Sequence, residues 1–229
     1  MRLGITLVGI RTIKNFSLWS AVFSLMPNPK CGPFDLMSLW QDSLRRAIFA
    51  RCFGKSQGLA DAEDLFTAAL LQDMAVPLLA KELPDDYVDL LEGRRGGTFR
   101  LSELEQARFG WTHSEAAGIL ARAWKLPESF ATLIDTHTNL EPLASRERQD
   151  PRDVSVCLSS LLPSTCDEQW TERDKFTNAY QSLAFPGSDP LAAVFEKVDA
   201  AFEEFAPIMK LAVPAQPLSE RLEESTIQS

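Results

Sequence analysis

The sequence is poor in the residues and motifs on which catalysis commonly relies. It contains two histidines, His113 and His137. It has no Gly-rich phosphate loop, no GxSxG nucleophile elbow, no HExxH helix, and no cysteine or histidine cluster with zinc-site spacing. A catalytic triad or a metal cage must therefore be built from very few side chains.

β-Branched residues are also scarce. Val and Ile together total 17 residues, whereas Leu and Ala together total 56 of the 229. Because Leu and Ala favour helices and β-branched residues favour strands, this balance predicts an all-α protein. A chain of this length can form one large domain or two small ones.

The chain also lacks long apolar runs and paired cysteines. A membrane-spanning helix needs about 20 apolar residues, whereas the apolar run at 15–26 is only a dozen residues long. Arg11 and Lys14 stand where a signal peptide would be uncharged. The four cysteines form no CxxC pair, which indicates reduced, buried thiols. We therefore predict a cytoplasmic protein with no membrane span.

The charge is acidic overall, with a formal net charge of −9, but unevenly placed. Residues 1–58 carry eight Lys or Arg and two Asp or Glu, a net of +6, which leaves −15 for the remainder. An acidic chain repels nucleic-acid phosphate, so we expect no nucleic-acid partner. Arg45, Arg46 and Arg51 could form a local basic patch. The favoured interpretation is a solvated helix face whose positive charge balances the acidic remainder of the molecule.

Capping residues and apolar spacing predict the first helices. Asp35 precedes a helix over 36–53, which Gly54 ends. Asp61 can cap the next helix, which Pro77 bends or ends. Pro84 suits the first turn of a short helix that reaches residue 92.

Two capping boxes predict the helices that follow. Ser102 with Glu105 opens a short helix closed by Gly110, and Thr112 with Glu115 opens a helix to residue 124. Residues 141–152 are polar and indicate a linker. Further helices are predicted at 128–137, 153–162, 171–184 and 189–210.

Several short motifs follow one another between residues 3 and 140. In chain order they are Leu3-Gly4, then Leu39-Trp40-Gln41-Asp42-Ser43-Leu44, then Thr67-Ala68-Ala69-Leu70-Leu71-Gln72-Asp73-Met74, then the set Glu105, Phe109, Gly110, His113, Glu115, Ala117 and Gly118, and finally Trp124, Leu126, Pro127, Ile134 and His137. Together they resemble HDOD domains, a branch related to the HD phosphohydrolases, whose patterns include "LWxHS", "AGLLHDIG" and "W.LP".

The resemblance implies a compact multi-helix bundle of the HD-superfamily type. We predict a partial HDOD-like domain at 1–145, helices at 146–213 that pack on it, and a flexible tail at 214–229. The resemblance also implies five signature residues of the core, which are Trp40, Gly110, Gly118, Trp124 and Pro127.

The chain departs from the metal-binding pattern of the HD phosphohydrolases, which use a histidine, a His-Asp pair and further histidines from separate helices. Asp42 stands at the first histidine, Gln72 at the histidine of the pair, and Thr138 at the second of the final two histidines. The retained positions are Asp73, His113 and His137. A neutral amide such as that of Gln72 binds transition metals weakly, although Asp42 could bind a hard cation.

We therefore expect a vestigial site with no metal and no cofactor. Its positions are Asp42, Gln72, Asp73, His113 and His137. Because their motifs occur in family order, we expect these side chains to converge around one cleft and to be held there by hydrogen bonds.

Three functions remain open after these observations. The leading hypothesis, implied by the resemblance, is a non-catalytic regulatory protein of bacterial signal transduction that contacts other signalling proteins. One alternative is a divergent metal-dependent phosphohydrolase that uses Asp42, Asp73, His113 and His137. The other is a cyclic-dinucleotide sensor in which Arg94, Arg95 or Arg100 meets phosphate.

The first helix carries a separate expectation. HDOD proteins ordinarily have about a third of the domain before the Leu-Gly point, which here lies two residues after Met1. The helix predicted at 4–26 would then expose apolar residues such as Trp19, Val22 and Phe23, and such a patch marks an interface for self-association or for a partner. Alternatively, the C-terminal helices fold back and cover it.

Overall fold

The computed structural model describes residues 10–140, 149–184 and 187–223, with side chains from residue 17. In these residues, helices are connected by turns and longer loops. Across these residues there is no strand, so the all-α prediction is confirmed. The helices are α1 (Ile10–Leu25), α2 (Leu36–Ser56), α3 (Ala62–Leu71), α4 (Val76–Glu82), α5 (Pro84–Gly93), α6 (Leu101–Phe109), α7 (His113–Ala123), α8 (Glu128–Thr136), α9 (Pro151–Ser159), α10 (Arg173–Leu183), α11 (Leu191–Phe205) and α12 (Leu218–Glu223).

Helix α2 lies at the centre of the bundle. Its N-terminus is capped by the Asp35 carboxylate, which accepts a hydrogen bond from the Ser38 N–H at 2.8 Å. Leu44, Ile48 and Phe49 on this helix are fully buried. Helix α2 packs along α3, α9 and α11, and therefore connects the first half of the chain with the second.

The end predicted for α2 at Gly54 is wrong, because the helix continues to Ser56. Gly54 instead marks a close approach to α3. A Cβ atom at this position would lie 2.4 Å from Leu65 Cδ1, so a larger residue here would require the Leu65 side chain to move.

Helices α7 and α8 pack against each other and behave as the sequence predicts. The Thr112–Glu115 capping box opens α7, and the Glu115 carboxylate accepts from the Thr112 N–H at 2.8 Å. A Cβ atom on Gly118 would lie 2.7 Å from the Cβ of Asp135 on α8, so this glycine permits the close crossing. This contact sets the distance between α7, which begins with His113, and α8, which His137 directly follows.

The three arginines of α2 do not form the solvated face that we predicted. Arg45 is buried, and the guanidinium of Arg51 lies over the rings of Phe66 and Phe205, 5.1 and 5.2 Å from their centres. Arg46 faces the interior between helices and is described with the site below. The sequence pattern showed which residues share a helix, but not that other helices cover this side of α2.

The first helix is better covered than we expected. Trp19 and Val22 are buried, and the ring of Phe23 stacks on that of Trp40 with their centres 3.5 Å apart. The cover comes from α2 and α3, which precede the C-terminal helices in the chain. Leu25 remains 68% exposed. Residues 4–9 of the predicted helix lie outside the described residues.

Within the tail predicted to be flexible from residue 214, residues 218–223 form the helix α12. The backbone N–H groups of Leu218 and Ser219 donate to the Asp199 carboxylate on α11, at 2.9 and 3.0 Å. Leu218 is buried, so this short helix is fixed by packing as well as by its cap. Residues 224–229, and residues 141–148 of the predicted linker, lie outside the described residues.

Two further observations concern solvent and membrane. The expectation of buried thiols holds for Cys31 and Cys157, but Cys166 is exposed and Cys52 is half-buried. Within the described ranges, none of the helices is both long enough and apolar enough to cross a membrane.

Candidate functional site

Three side chains from separate parts of the chain meet in the interior. Asp73 lies in the turn between α3 and α4, His113 begins α7, and His137 directly follows α8. Their ligand atoms all lie within 4.8 Å of one another. Asp73 Oδ1 is 3.3 Å from His113 Nε2 and 3.5 Å from His137 Nε2. We call these three residues the Asp-His-His cluster.

Each histidine is oriented by an acceptor on its outer nitrogen. The Nδ1 atom of His113 donates to the Glu105 carboxylate at 2.6 Å, and that of His137 donates to the Ile134 carbonyl oxygen at 2.6 Å. With each Nδ1 donating outward, each ring is oriented so that its Nε2 faces the same Asp73 oxygen. Carboxylate and carbonyl partners of this kind also orient histidines in metal sites.

Glu105 is a buried part of the site and not the capping residue that we predicted. Its Oε2 accepts from the backbone N–H of His113 at 2.7 Å, and its Oε1 accepts from the Tyr87 hydroxyl at 2.6 Å. Helix α6 is preceded by Arg100, without the capping bond expected from Ser102. The capping pattern was misleading because Glu105 forms its contacts across three helices.

Arg46 of α2 completes the polar interior. Its guanidinium donates to Asp73 Oδ2, and the two side chains are only 14% and 7% exposed. Although burial alone would raise it, the pKa of Asp73 lies well below its ordinary value, chiefly because Arg46 stabilises the carboxylate. Asp73 is therefore ionised, with the Arg46 guanidinium against one oxygen and the His113 Nε2 3.3 Å from the other.

The two histidines differ in their protonation. Burial works against a charged imidazole at His113, but Glu105 and Asp73 outweigh it and raise its pKa to about 9. Burial lowers the pKa of His137, and the nearby Asp73 does not offset this. Near neutral pH the cluster thus contains a charged His113 beside a neutral His137.

Two of the predicted site positions are turned to other partners. The Asp42 carboxylate on α2 accepts from the Ser164 hydroxyl and from the Thr165 N–H, the latter at 2.7 Å. Burial raises its pKa, an effect that Arg46 and these hydrogen bonds oppose. Gln72 is fully buried, and its Oε1 lies 3.2 Å from the Ser159 hydroxyl, which also contacts the Val156 carbonyl oxygen at 2.7 Å. The structure therefore brings together Asp73, His113 and His137, with Asp42 close by and Gln72 directed elsewhere.

The cluster opens onto a cleft of about 240 Å³, whose lining includes Asp42, Asp73, His113, His137 and Thr138. Arg94 and Arg100 also line it, whereas Arg95 is exposed and is not among the lining residues. Arg94 binds both oxygens of Asp167, at 2.8 and 2.9 Å, and Arg100 pairs with Glu172 at 3.2 Å. The lining arginines are thus already neutralised by acidic neighbours.

Comparison with known proteins accounts for the convergence of these motifs. The model of the HDOD domain matches residues 2–140, which is more than half of the chain. The chain belongs to the HDOD family. No curated protein matches this HDOD chain.

Solved structures share the fold of this HDOD protein. An HDOD domain protein of unknown function from Geobacter sulfurreducens is 17% identical with a TM-score of 0.65, over 93% of this chain and 74% of its own. A candidate phosphohydrolase from Shewanella amazonensis SB2B is 17% identical with a TM-score of 0.60, over 96% and 70%. The MmoQ response regulator from Methylococcus capsulatus strain Bath is 23% identical with a TM-score of 0.54, over 83% and 73%. At these identities the likeness shows the fold.

We predicted that the five HDOD signature residues belong to the core, but only two of them are buried. Trp40 and Gly118 are buried, but Trp124 is 37% exposed and Pro127 and Gly110 are exposed as well. Gly110 ends α6 in the left-handed conformation, with φ of 76°, and Trp124 and Pro127 lie in the surface turn between α7 and α8. These three residues shape turns, which are solvent-facing even where the helices that they connect are buried.

The residues of this HDOD site do not fit a divalent metal ion in the present arrangement. One carboxylate and two imidazoles are a donor set that Zn²⁺ or Fe²⁺ accepts. However, the cationic Arg46 already occupies one oxygen of Asp73, and both Asp42 and Gln72 bind the C-terminal part of the chain. Arg46 is a site residue that the motifs did not reveal, although its position one helical turn after Asp42 places both on the same side of α2.

Proposed function

We propose that this HDOD protein is a non-catalytic regulatory component of bacterial signal transduction that acts through contacts with other signalling proteins. The observation that carries the proposal is the Arg46–Asp73 ion pair. Asp73 is the retained carboxylate of the family's ligand set, and its pairing with a buried arginine leaves no free charge for a catalytic metal. An HD-type hydrolysis would need that metal to activate water.

Further support comes from the altered positions of the site. Asp42 holds the 164–165 turn and Gln72 binds Ser159, so both side chains take part in packing the bundle together. The MmoQ protein of similar fold is named a response regulator, which agrees with a role in signalling. We also propose a cytoplasmic location, because the four cysteines form no disulfide.

A hydrolase assay tests the absence of catalysis. The purified chain would be incubated with Mn²⁺ or Fe²⁺ and with bis(p-nitrophenyl) phosphate or a cyclic dinucleotide. We expect no turnover above that of the metal in buffer. Metal-dependent turnover that is lost in His113→Ala would instead support the phosphohydrolase alternative.

The cyclic-dinucleotide sensor is the weaker alternative, because Arg94 and Arg100 are paired with Asp167 and Glu172. Titration of the protein with cyclic di-GMP, followed by calorimetry, would reveal it. We expect no heat of binding. Saturable binding that is weakened by Arg100→Gln would favour the sensor over the regulatory module.

Self-association through the first helix remains part of the proposal. Leu25 at the end of α1 is the residue on which it would depend, since Trp19 and Val22 are buried. Light scattering of the full wild-type chain and of its Leu25→Glu variant measures whether each is a monomer or a dimer. A dimer that dissociates in the variant supports the interface, whereas a monodisperse wild-type monomer contradicts it.

A further inference from the structure

The geometry of the Asp-His-His cluster resembles that of a metal site, but its charge does not. Both Nδ1 atoms are bonded outward, to Glu105 and to the Ile134 carbonyl, so both Nε2 atoms are directed inward. They lie 3.3 and 3.5 Å from Asp73 Oδ1. Two ligands of a tetrahedral zinc ion, each at its ordinary bond length, are about 3.4 Å apart. Two of the three donor separations therefore match those around one ion, and all three ligand atoms lie within 4.8 Å of one another.

The charge at this point is supplied by Arg46. Its guanidinium reaches Asp73 Oδ2 from α2 and is almost fully enclosed, with 14% of its side chain exposed. Among the described residues, the Arg46 Nε has no hydrogen-bond partner, so the arginine is held in place mainly through its interaction with carboxylates. A divalent ion bound to the same carboxylate would face this buried cation, and like charges repel strongly where water is excluded.

We propose that Arg46 is a built-in cation that takes the place of a divalent metal in this cluster, and that its removal converts Asp73, His113 and His137 into a metal site. Without Arg46, the buried Asp73 and Glu105 carboxylates keep His113 as their one nearby positive partner, which is an unfavourable imbalance of buried charge. A divalent ion of the class that imidazole and carboxylate bind, such as Zn²⁺ or Co²⁺, then restores the balance of charge. This inference concerns metal binding alone and does not rest on the proposed signalling function.

Cobalt binding tests the inference, because Co²⁺ bound by nitrogen and oxygen ligands has a visible absorption that is independent of any activity. The untagged full chain would be titrated with Co²⁺ as wild type, Arg46→Met and Arg51→Met. Methionine matches the length of the arginine stem without its charge. Arg51 lies on the same helix but contacts Phe66 and Phe205, so its variant is a matched control.

We expect one Co²⁺ per chain in Arg46→Met, bound at least tenfold more tightly than in wild type or in Arg51→Met. The visible band should vanish in the double variant Arg46→Met/His137→Gln. Three results would overturn the inference: stoichiometric binding by the wild type, no binding by Arg46→Met, or binding that survives the loss of His137.

Thermal unfolding with and without Co²⁺ covers the case in which Arg46→Met is poorly folded. A ligand that binds only the native state raises the melting temperature, so Co²⁺ should stabilise Arg46→Met by several degrees and leave wild type unchanged. Arg46→Gln, which keeps a polar side chain without the charge, should behave in the same way. If Co²⁺ restores neither variant, the inference is wrong. Metal binding by the wild type without turnover would refute this inference but leave the proposed function intact.

Discussion

Residues 2–140, which match the HDOD model, and the C-terminal segment 149–223 serve the site in different ways. The retained family residues are held by partners within the matched part: Asp73 by Arg46, His113 by Glu105 and His137 by Ile134. Two altered positions are instead held by the C-terminal segment, Asp42 by Ser164 and Thr165, and Gln72 by Ser159. The third altered position, Thr138, bonds to Ser114 inside the matched part.

This difference indicates why the altered site remains well packed. A buried polar group without a partner costs free energy. The Asp42 carboxylate and the Gln72 Oε1 have partners here, whereas the Gln72 Nε2 has none among the described residues. The turn after α9 supplies such partners, and it also supplies Asp167, which binds Arg94. The C-terminal segment therefore forms part of the site's structure and is more than a neighbouring layer of helices.

The largest effect is expected from Asp73→Ala, which removes the carboxylate that pairs with Arg46 and with the charged His113. Breaking a buried ion pair from one side costs about 3–5 kcal/mol, because the remaining charge is left uncompensated. Urea unfolding measures this change in the free energy of unfolding. The double variant with Arg46→Met should lose less than the sum of the two single variants. Additive losses would show that the two residues are not coupled.

The pH dependence of stability tests the charge on His113. The folded pKa of about 9 lies above the ordinary value of 6.5, so its contribution is complete below pH 6.5 and is lost as the pH rises through 9. We expect the free energy of unfolding to fall by about 2 kcal/mol between pH 7 and pH 9. In His113→Asn this fall should disappear. An equal fall in both proteins would assign it to another group.

A smaller effect is expected from Asp42→Ala, which tests the link to the C-terminal segment. Loss of its two hydrogen bonds should cost about 1–3 kcal/mol and speed hydrogen exchange at the Thr165 amide. Asp42→Asn should cost less, because the amide retains an acceptor oxygen and removes a buried charge. Unchanged exchange at Thr165 in the alanine variant would argue against the link.

The smallest effect is expected from Ser159→Ala, which removes the hydroxyl that contacts both Gln72 Oε1, at 3.2 Å, and the Val156 carbonyl oxygen, at 2.7 Å. The expected cost is about 0.5–1.5 kcal/mol. Ser155→Ala is the matched control, since the buried Ser155 hydroxyl donates within its own helix to the Pro151 carbonyl oxygen. Chemical denaturation should show the larger loss for Ser159→Ala. The reverse order would mean that the Gln72 contact contributes little.

Local features of this fold were predictable from the sequence, and long-range pairings were less so. The Thr112–Glu115 capping box depends on residues that are close in sequence. The close crossing at Gly118 is indicated by the glycine itself, because a glycine within a helix leaves room for a neighbouring helix. The family motifs predicted that Asp73, His113 and His137 lie close together. Their order along the chain was sufficient, because each motif belongs to a particular helix.

The partners of the site could not be predicted in the same way. Helical periodicity places Arg46 on one face of α2 but does not show which helix covers that face. Similarly, the spacing of Ser102 and Glu105 satisfies a capping pattern, although Glu105 binds Tyr87 and His113. Such pairings depend on how the helices are arranged, and a single sequence does not specify that arrangement residue by residue.

The most direct test of the account is a crystal structure of the wild-type chain grown with excess Mn²⁺, with anomalous data collected. The account predicts that the Arg46 guanidinium lies against Asp73 and that no anomalous peak lies within ligand distance of Asp73, His113 and His137. A manganese peak at that position, with Arg46 displaced from Asp73, would contradict it.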